Sequence, residues 1–463
     1  MLPILKLKST LIFLAALSVA YAEGHGGMAM DDKSKDADEI LATLRKGLQL
    51  KFVHWFISVA FLLVTPAFGA CYAVADRFRV SVGVQAVAGV YSVVEALILR
   101  FPDPQGHENR TSRGTAWFLM FFYGLVVLNG VACEGATMAS KLEDSRIGRI
   151  ASKLSPLSYK VISVLICECG FLKAAMNIIA ILGFCYNDHT GQCNAHGIMG
   201  MSFIAYGWFL ATMLVIPWLR VNRHRYSQEM YDSAMITAWG IVNTFTEHRL
   251  GKPWSHHDFQ HTSMGIIFWA CGMLGMYLSR HHKRNFMPAL TLIFTGYVMG
   301  QHPQSTLTSE KVHSFFGLVL IFGGAIRIAE ISFLLGDRDS DGSGRILSFQ
   351  YLPPFALVSA GVLFMSANEE QVRLVIDMGA DHGAYILVAL SCACLVFLFY
   401  LAMLEFYLHL HGYSPDSNRP YDALLGNEDD LESQENHEMQ SRVNQDSTEF
   451  QLDDFSSLDG EHA

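Results

Sequence analysis

His382-Gly-Ala-Tyr-Ile-Leu-Val-Ala-Leu-Ser-Cys-Ala-Cys-Leu-Val-Phe-Leu-Phe-Tyr-Leu-Ala-Met-Leu-Glu-Phe-Tyr-Leu408 reads as one apolar helix. From Gly383 to Leu404 no side chain carries a formal charge. A helix of about 20 such residues crosses the roughly 30 Å hydrocarbon core of a bilayer. Working outward from this stretch, eleven segments of the same kind can be marked, at about 52–75, 82–100, 115–140, 157–184, 196–218, 229–247, 257–279, 286–302, 311–335, 349–367 and 382–408. With 51% hydrophobic and 16% charged residues in 463, the chain is too apolar for an ordinary soluble protein. These features predict an all-α polytopic membrane protein of about eleven transmembrane helices.

The ends of the chain differ from its middle. Lys6 and Lys8 precede the apolar run Leu11–Val19, and Ala20-Tyr21-Ala22 offers small residues for cleavage, so residues 1–22 read as a signal peptide. Residues 23–51 form a short polar segment, expected on the lumenal side. Beyond Gly412, 14 Asp/Glu stand against Arg419 and Arg442, while the rest of the chain is close to neutral. Residues 412–463 are therefore expected to be a disordered acidic tail. Nothing in this charge pattern supports nucleic-acid binding.

Signal cleavage and an odd number of spans put the N-terminus in the lumen and the tail in the cytosol. Loops on the predicted cytosolic side hold fifteen Lys/Arg and those on the lumenal side seven, the bias expected of this orientation. The sequon Asn109-Arg110-Thr111 falls in a lumenal loop and predicts glycosylation at Asn109. Cys185 and Cys193 share another lumenal loop, where a disulfide is expected to persist. The membrane body divides into an N-terminal helical domain, 52–220, and a histidine-rich C-terminal one, 221–411.

Between two apolar spans lies Asn243-Thr-Phe-Thr-Glu-His-Arg-Leu-Gly-Lys-Pro-Trp-Ser-His-His-Asp-Phe-Gln-His-Thr-Ser-Met-Gly265. Ser255 and Asp258 have capping-box spacing and predict a helix starting at His256. His257 and His261 then share a face and can share an ion. His302 ends one span and His313 begins the next on the same side, so these four imidazoles, with His248, Glu247 and Asp258, are the candidate metal or haem ligands. His54 and His196 are further histidines on that side. Four of these histidines have a small residue one turn on (Ser58, Gly200, Gly265 and Gly317), leaving room for a cofactor edge or a neighbouring helix. An interfacial loop with purely structural histidines is the plainer reading.

Glu95, Glu134, Glu168, Lys173, Arg327 and Glu330 lie inside spans, where ionisable groups face the bundle and pair. Arg327 and Glu330, three apart, can pair with each other; Glu168 and Lys173 need partners on other helices. The loop Asp337–Gly344 begins like a calcium site but lacks its later ligands and reads as a polar linker. Tyr421-Asp-Ala-Leu424 has the form of a sorting signal for a cytosolic adaptor.

The chain resembles a fungal family of multi-pass transmembrane proteins known from yeast. The resemblance rests on Asn243–Arg249, Trp254–Gly265, Leu278-Ser-Arg280, and Thr295, Gly296, Met299, His302 and Gln304, and more loosely on His54, Pro66 and His196-Gly-Ile-Met-Gly200. It implies a membrane-embedded helical fold and brings no activity with it. The N-terminal half is also distantly similar to the transmembrane cytochromes b that pass electrons from ascorbate, which implies bis-histidine b-type haem. The second to fourth spans contain no histidine, however, and Gln85 stands where an imidazole would serve.

These features leave several functions open. One is a lumen-facing site for zinc, copper or iron, used in metal transport or handling. Another is haem-based transmembrane electron transfer, His261 and His281 being about 30 Å apart along a helix. A zinc hydrolase built on His257-Asp258-x-x-His261 would set its base too far back. A non-catalytic scaffold or cargo receptor that senses acidification through its histidines is the fourth. The signal peptide and spans place the chain among lipids of the secretory pathway, in an endosomal, vacuolar or plasma membrane.

Overall fold

A computed structural model of the chain describes residues 48–99, 109–138, 146–181, 184–185, 190–221, 227–246, 248, 253–254, 256–301, 304–335 and 346–413. The signal peptide, most of the 23–51 segment, the Asp337–Gly344 loop, the Tyr421–Leu424 motif, Glu247, His302 and the side chain of His257 lie outside these residues. So does the tail beyond Tyr413.

All regular elements among the described residues are helical. Helix α1 (Leu48–Val59) runs through a π-helical turn, Ala60–Val64, into α2 (Thr65–Val74). There follow α3 (Phe78–Leu97), α4 (Arg110–Met138), α5 (Arg146–Ile181), α6 (Thr190–Val215) and the short α7 (Pro217–Val221). The second half holds α8 (Gln228–Thr246), α9 (His256–Ser279), α10 (Met287–Gly300) and α11 (Leu307–Ala329), which ends in a second π turn at Glu330–Leu335. Then come α12 (Leu352–Ser366), α13 (Glu369–Asp377) and α14 (His382–Leu410). The described residues of all eleven apolar segments are thus mostly helical, and α9 starts at His256 as the Ser255 signal predicts. Nine helical stretches among the described residues are long and apolar enough to cross a membrane, α10 being apolar but shorter. The outer surface suits lipid: Phe333 is 88% exposed and Leu128 70%.

Pro66 explains the first π turn. It has no N–H for the Leu62 carbonyl, and its ring would collide with that carbonyl in a regular helix. The wider turn moves the strain aside, with Thr65 Oγ1 donating to Ala60 O at 2.8 Å. The Leu62 carbonyl then lies against Gly170 of α5, where a Cβ would come within 1.7 Å of the oxygen.

Small residues bring other helices together in antiparallel pairs. Along α8 and α9, Thr244 meets Gly265, Gly240 meets the Trp269 backbone, and Ser233 and Thr237 meet Gly275 and Gly272. Gly296 of α10 faces Gly317 of α11, and Gly200 of α6 faces Gly361 of α12. Without hydrophobic drive between helices in lipid, such close approach is what supplies dispersion contact.

The described residues from Leu50 onward form one compact unit. The ranges 52–220 and 221–411 interlock within it. Ile204, Trp208 and Ala211 of α6 share a core cluster with Val358 of α12 and Phe397 of α14. Phe68 of α2 meets Phe406 of α14 edge-on, ring centres 5.0 Å apart.

Candidate functional site

The antiparallel order gathers His54, His196, His261 and His313 near one end of the bundle, at the first turns of α1, α6, α9 and α11. His313 is buried, and its Nδ1 lies 2.8 Å from the Ser309 carbonyl one turn back. His196 repeats the arrangement, its Nδ1 2.9 Å from the Gln192 carbonyl. Both rings therefore carry their proton on Nδ1 and present Nε2 as the lone-pair nitrogen. Their centres are 6.1 Å apart at 82°, and Phe364 stacks on His196 at 4.8 Å. His261 is buried on α9, where its carbonyl accepts from Asn243 Nδ2 at 3.4 Å. Three residues further on, Met264 joins the core cluster that holds Val312 and Phe364.

His248 and Asp258 form a pair of their own. His248 stacks on Trp254 at 4.0 Å, and its Nδ1 is 3.3 Å from Asp258 Oδ2. Around the candidate histidines, no three ligand atoms of His, Cys, Asp or Glu come together among the described residues. The group that does, Cys185, Cys193 and Glu370, contains two sulfurs joined as a disulfide. The small residues one turn below the histidines serve helix contact: Gly200, Gly265 and Gly317 each meet a neighbouring helix.

A buried polar network lies beside His54. Glu95 of α3, 3% exposed, accepts from Asn177 Nδ2 at 3.1 Å on Oε1 and from Ser58 Oγ at 3.2 Å on Oε2. Lys173 of α5 stands 3.3 Å from Glu95 Oε1 and donates to Ser112 O at 2.6 Å and Ser112 Oγ at 3.0 Å. Tyr91 OH lies 3.1 Å from Ser58 Oγ and 3.3 Å from His54 Nε2. Four helices thus contribute to one hydrogen-bonded set in the half of the bundle nearest the histidines. Lys173 does find its partner on another helix.

The opposite end carries an arginine network. Glu229 Oε1, at the start of α8, accepts from Arg284 Nη1 and Arg327 Nη2, each at 2.9 Å. Arg327 Nη1 holds Glu330 Oε2 at 2.6 Å, so the pairing expected from their spacing is present but belongs to a larger set. Gln350 Nε2 adds a bond to Glu330 Oε1 at 3.3 Å, and Tyr206 OH donates to Asp232. Arg284, Arg327, Glu229 and Glu330 each have a counter-charge, which is the condition for burying such groups.

Two loop features bear on the sequence reading. Cys185 and Cys193 are disulfide-bonded, with Cα atoms 5.7 Å apart, and Glu370 Oε2 accepts from the Cys185 amide at 2.6 Å. Asn109 is 3% exposed; its Oδ1 accepts from the Ser112 amide at 2.8 Å and its Nδ2 donates to the Phe184 carbonyl at 2.9 Å. That side chain caps α4, and a glycan on Nδ2 would displace the second bond. The geometry argues against the modification the sequon suggests.

The family description "Protein YTP1-like, C-terminal" matches residues 169–408. Protein YTP1 of Saccharomyces cerevisiae is 46% identical over 375 residues, covering 79% of this chain and 81% of that protein. The chain belongs to the YTP1-like family. An uncharacterised membrane protein of Schizosaccharomyces pombe is 23% identical over 293 residues, 53% of this chain and 56% of that one. A second uncharacterised membrane protein of Saccharomyces cerevisiae is 28% identical over 175 residues, 32% of this chain and 27% of its own. No solved structure matches.

The YTP1-like match takes in His196, His313, Lys173 and the whole arginine network, while His54, Ser58, Tyr91 and Glu95 precede it. The sequence pattern marks His196 only as a further histidine and Ser58 only as a small residue below His54, and it gives no sign of Tyr91, Glu229 or Arg284 as site residues. A hydroxyl on a helix gives no signal by itself. By sequence position alone Glu229 is an acid in the first turn of α8 and Arg284 a loop cation.

Proposed function

We propose that this YTP1-like membrane protein binds and handles a transition metal at the histidine end of its helix bundle. The observation that carries the reading is the His196–His313 pair. Each ring gives its Nδ1–H to a backbone carbonyl, the outer-shell arrangement that fixes and orients a metal-binding imidazole. With nitrogen–metal bonds of about 2 Å, two imidazoles on one ion hold their ring centres roughly 5 to 6 Å apart. The observed 6.1 Å needs only a small adjustment. His261 comes three residues before Met264 of the cluster that holds Phe364, and His257 and His302 are further ligands on this reading. Imidazole suits zinc, copper or iron. The charge bias of the loops supports a lumenal histidine end and a cytosolic tail, in a membrane of the secretory pathway. A sorting adaptor at Tyr421–Leu424 belongs to this orientation.

Bis-histidine haem is the second reading, since axial imidazoles across one iron also sit roughly 6 Å apart. Phe364 lies against both rings, so a porphyrin would have to take its place. Metal analysis and an absorption spectrum of the full chain, purified in detergent without chelator, decide the matter. Stoichiometric zinc, copper or iron without a Soret band, lost in His196→Ala and His313→Ala, is the expected result. A Soret band would favour haem. Protein that neither retains metal nor takes it up on titration would end both readings.

A further inference from the structure

The network around Glu95 has an order that simple ion pairing does not require. Ser58 Oγ donates to Glu95 Oε2, so its lone pairs face the other way, toward Tyr91 OH at 3.1 Å. Tyr91 OH in turn lies 3.3 Å from His54 Nε2. With a proton on His54 Nε2, every bond in the series His54, Tyr91, Ser58, Glu95 points one way, from imidazole to carboxylate. The direct gap is longer, 3.7 Å between His54 Nε2 and Glu95 Oε2, and the two hydroxyls bridge it; Ser58 Oγ itself lies 3.5 Å from His54 Nε2, a longer approach than the one through Tyr91. His54 lies in the first described helix with 10% of its side chain exposed, whereas Glu95 is 3% exposed within the bundle.

We propose that these four residues form a proton relay from the His54 end of the bundle to a proton-binding carboxylate, Glu95. In the transfer, the Nε2–H bond of the His54 imidazolium breaks and an O–H bond forms on Glu95 Oε2. Each hydroxyl passes one proton on and receives another. The products are a neutral imidazole, which keeps its proton on Nδ1, and a carboxylic acid; once the hydroxyls have turned back, a proton from solvent restores the imidazolium. The total charge of the set is unchanged by the step.

Lys173 is the positioning residue. Its three N–H donors have three acceptors, Ser112 O, Ser112 Oγ and Glu95 Oε1, and the two serine bonds are the shorter. The ammonium therefore stays anchored to α4 when Glu95 becomes neutral. Asn177 steadies both ends of the last hop, donating to Glu95 Oε1 at 3.1 Å and to Ser58 Oγ at 3.2 Å. The charged or titratable groups facing Glu95 are thus His54 on α1, Tyr91 on its own helix and Lys173 on α5. Arg113 of α4 is a further cation whose charge acts on Lys173. The relay uses none of the residues assigned to the metal site and stands or falls without it.

Infrared difference spectroscopy of the full chain in nanodiscs tests the proposal. Acidification is expected to produce a buried carboxylic-acid stretch that is absent in Glu95→Gln. After a pH jump, Tyr91→Phe and Ser58→Ala should keep that band but develop it more slowly than the parent. An identical band in Glu95→Gln would overturn the assignment, and parent-like rates in both hydroxyl variants would overturn the relay. Should Glu95→Gln fail to fold, carboxyl-labelled glutamate in the parent identifies the band. A band that does not shift with that label would also overturn the proposal.

Discussion

Arg284 and Glu229 are each 1% exposed at the side chain, so neither can turn to water when its partner is lost. Arg284→Ala is expected to destabilise the folded chain by about 3 kcal/mol, the low end for breaking a buried pair, because Glu229 keeps Arg327 as a partner. A clear fall in the thermal unfolding midpoint in detergent is the readout, and an unchanged midpoint would reject the network as described. This end of the bundle was half legible beforehand. Three-residue spacing on a helix identified Arg327 with Glu330, because local geometry alone brings them together. Glu229 and Arg284 join the set through the packing of α8, α11 and the chain before α10, and no local pattern records that. The same holds for His196, whose nearness to His313 depends on how α6 and α11 sit around Phe364.

At the level of elements, the glycines make opposite predictions according to what they face. A Cβ on Gly240 would come within 2.4 Å of the Trp269 amide nitrogen, with Phe268 and Gly265 nearby. Gly240→Val should therefore split α8 from α9 and yield aggregated protein on size-exclusion chromatography. Gly83 on α3 meets nothing within 4 Å of such a Cβ. Gly83→Ala should leave the protein intact and add up to about 1 kcal/mol, since glycine weakens a helix interior. Asn109→Ala removes the cap of α4 and should cost about 1 kcal/mol. Glycosidase is expected to leave the mobility of the parent chain unchanged, and a shift would show that Asn109 is released from Phe184. Helix positions were well signalled by apolar runs and by the Ser255 cap. Which glycines touch a neighbour was not, since a free face and a crowded one have the same composition.

For the whole molecule, the proposed orientation puts the arginine network toward the cytosol and the histidine end toward the lumen. Protease added to sealed microsomes should remove the acidic tail from outside, and a protected tail would overturn the orientation. The division at residue 220 has a further consequence here. Contacts such as Phe68 with Phe406 and the shared cluster of α6, α12 and α14 tie the two ranges together. Separate expression of 52–220 and 221–411 should give unstable halves, with co-expression restoring a stable complex. Hydropathy could count the segments but not pair them, because a lipid-facing helix and a buried one are similarly apolar.

The π turn at Ala60–Val64 joins two stretches of helix. That turn takes up one residue more than an ordinary one, so one residue fewer there would close the helix ladder and leave the stretch before it in nearly the same phase. His54 and Ser58 would still face Glu95, but Pro66 would meet the carbonyl four residues before it. A single-residue deletion in this turn therefore separates two properties that substitutions tend to entangle, the relief of the proline and the angular register of the polar face.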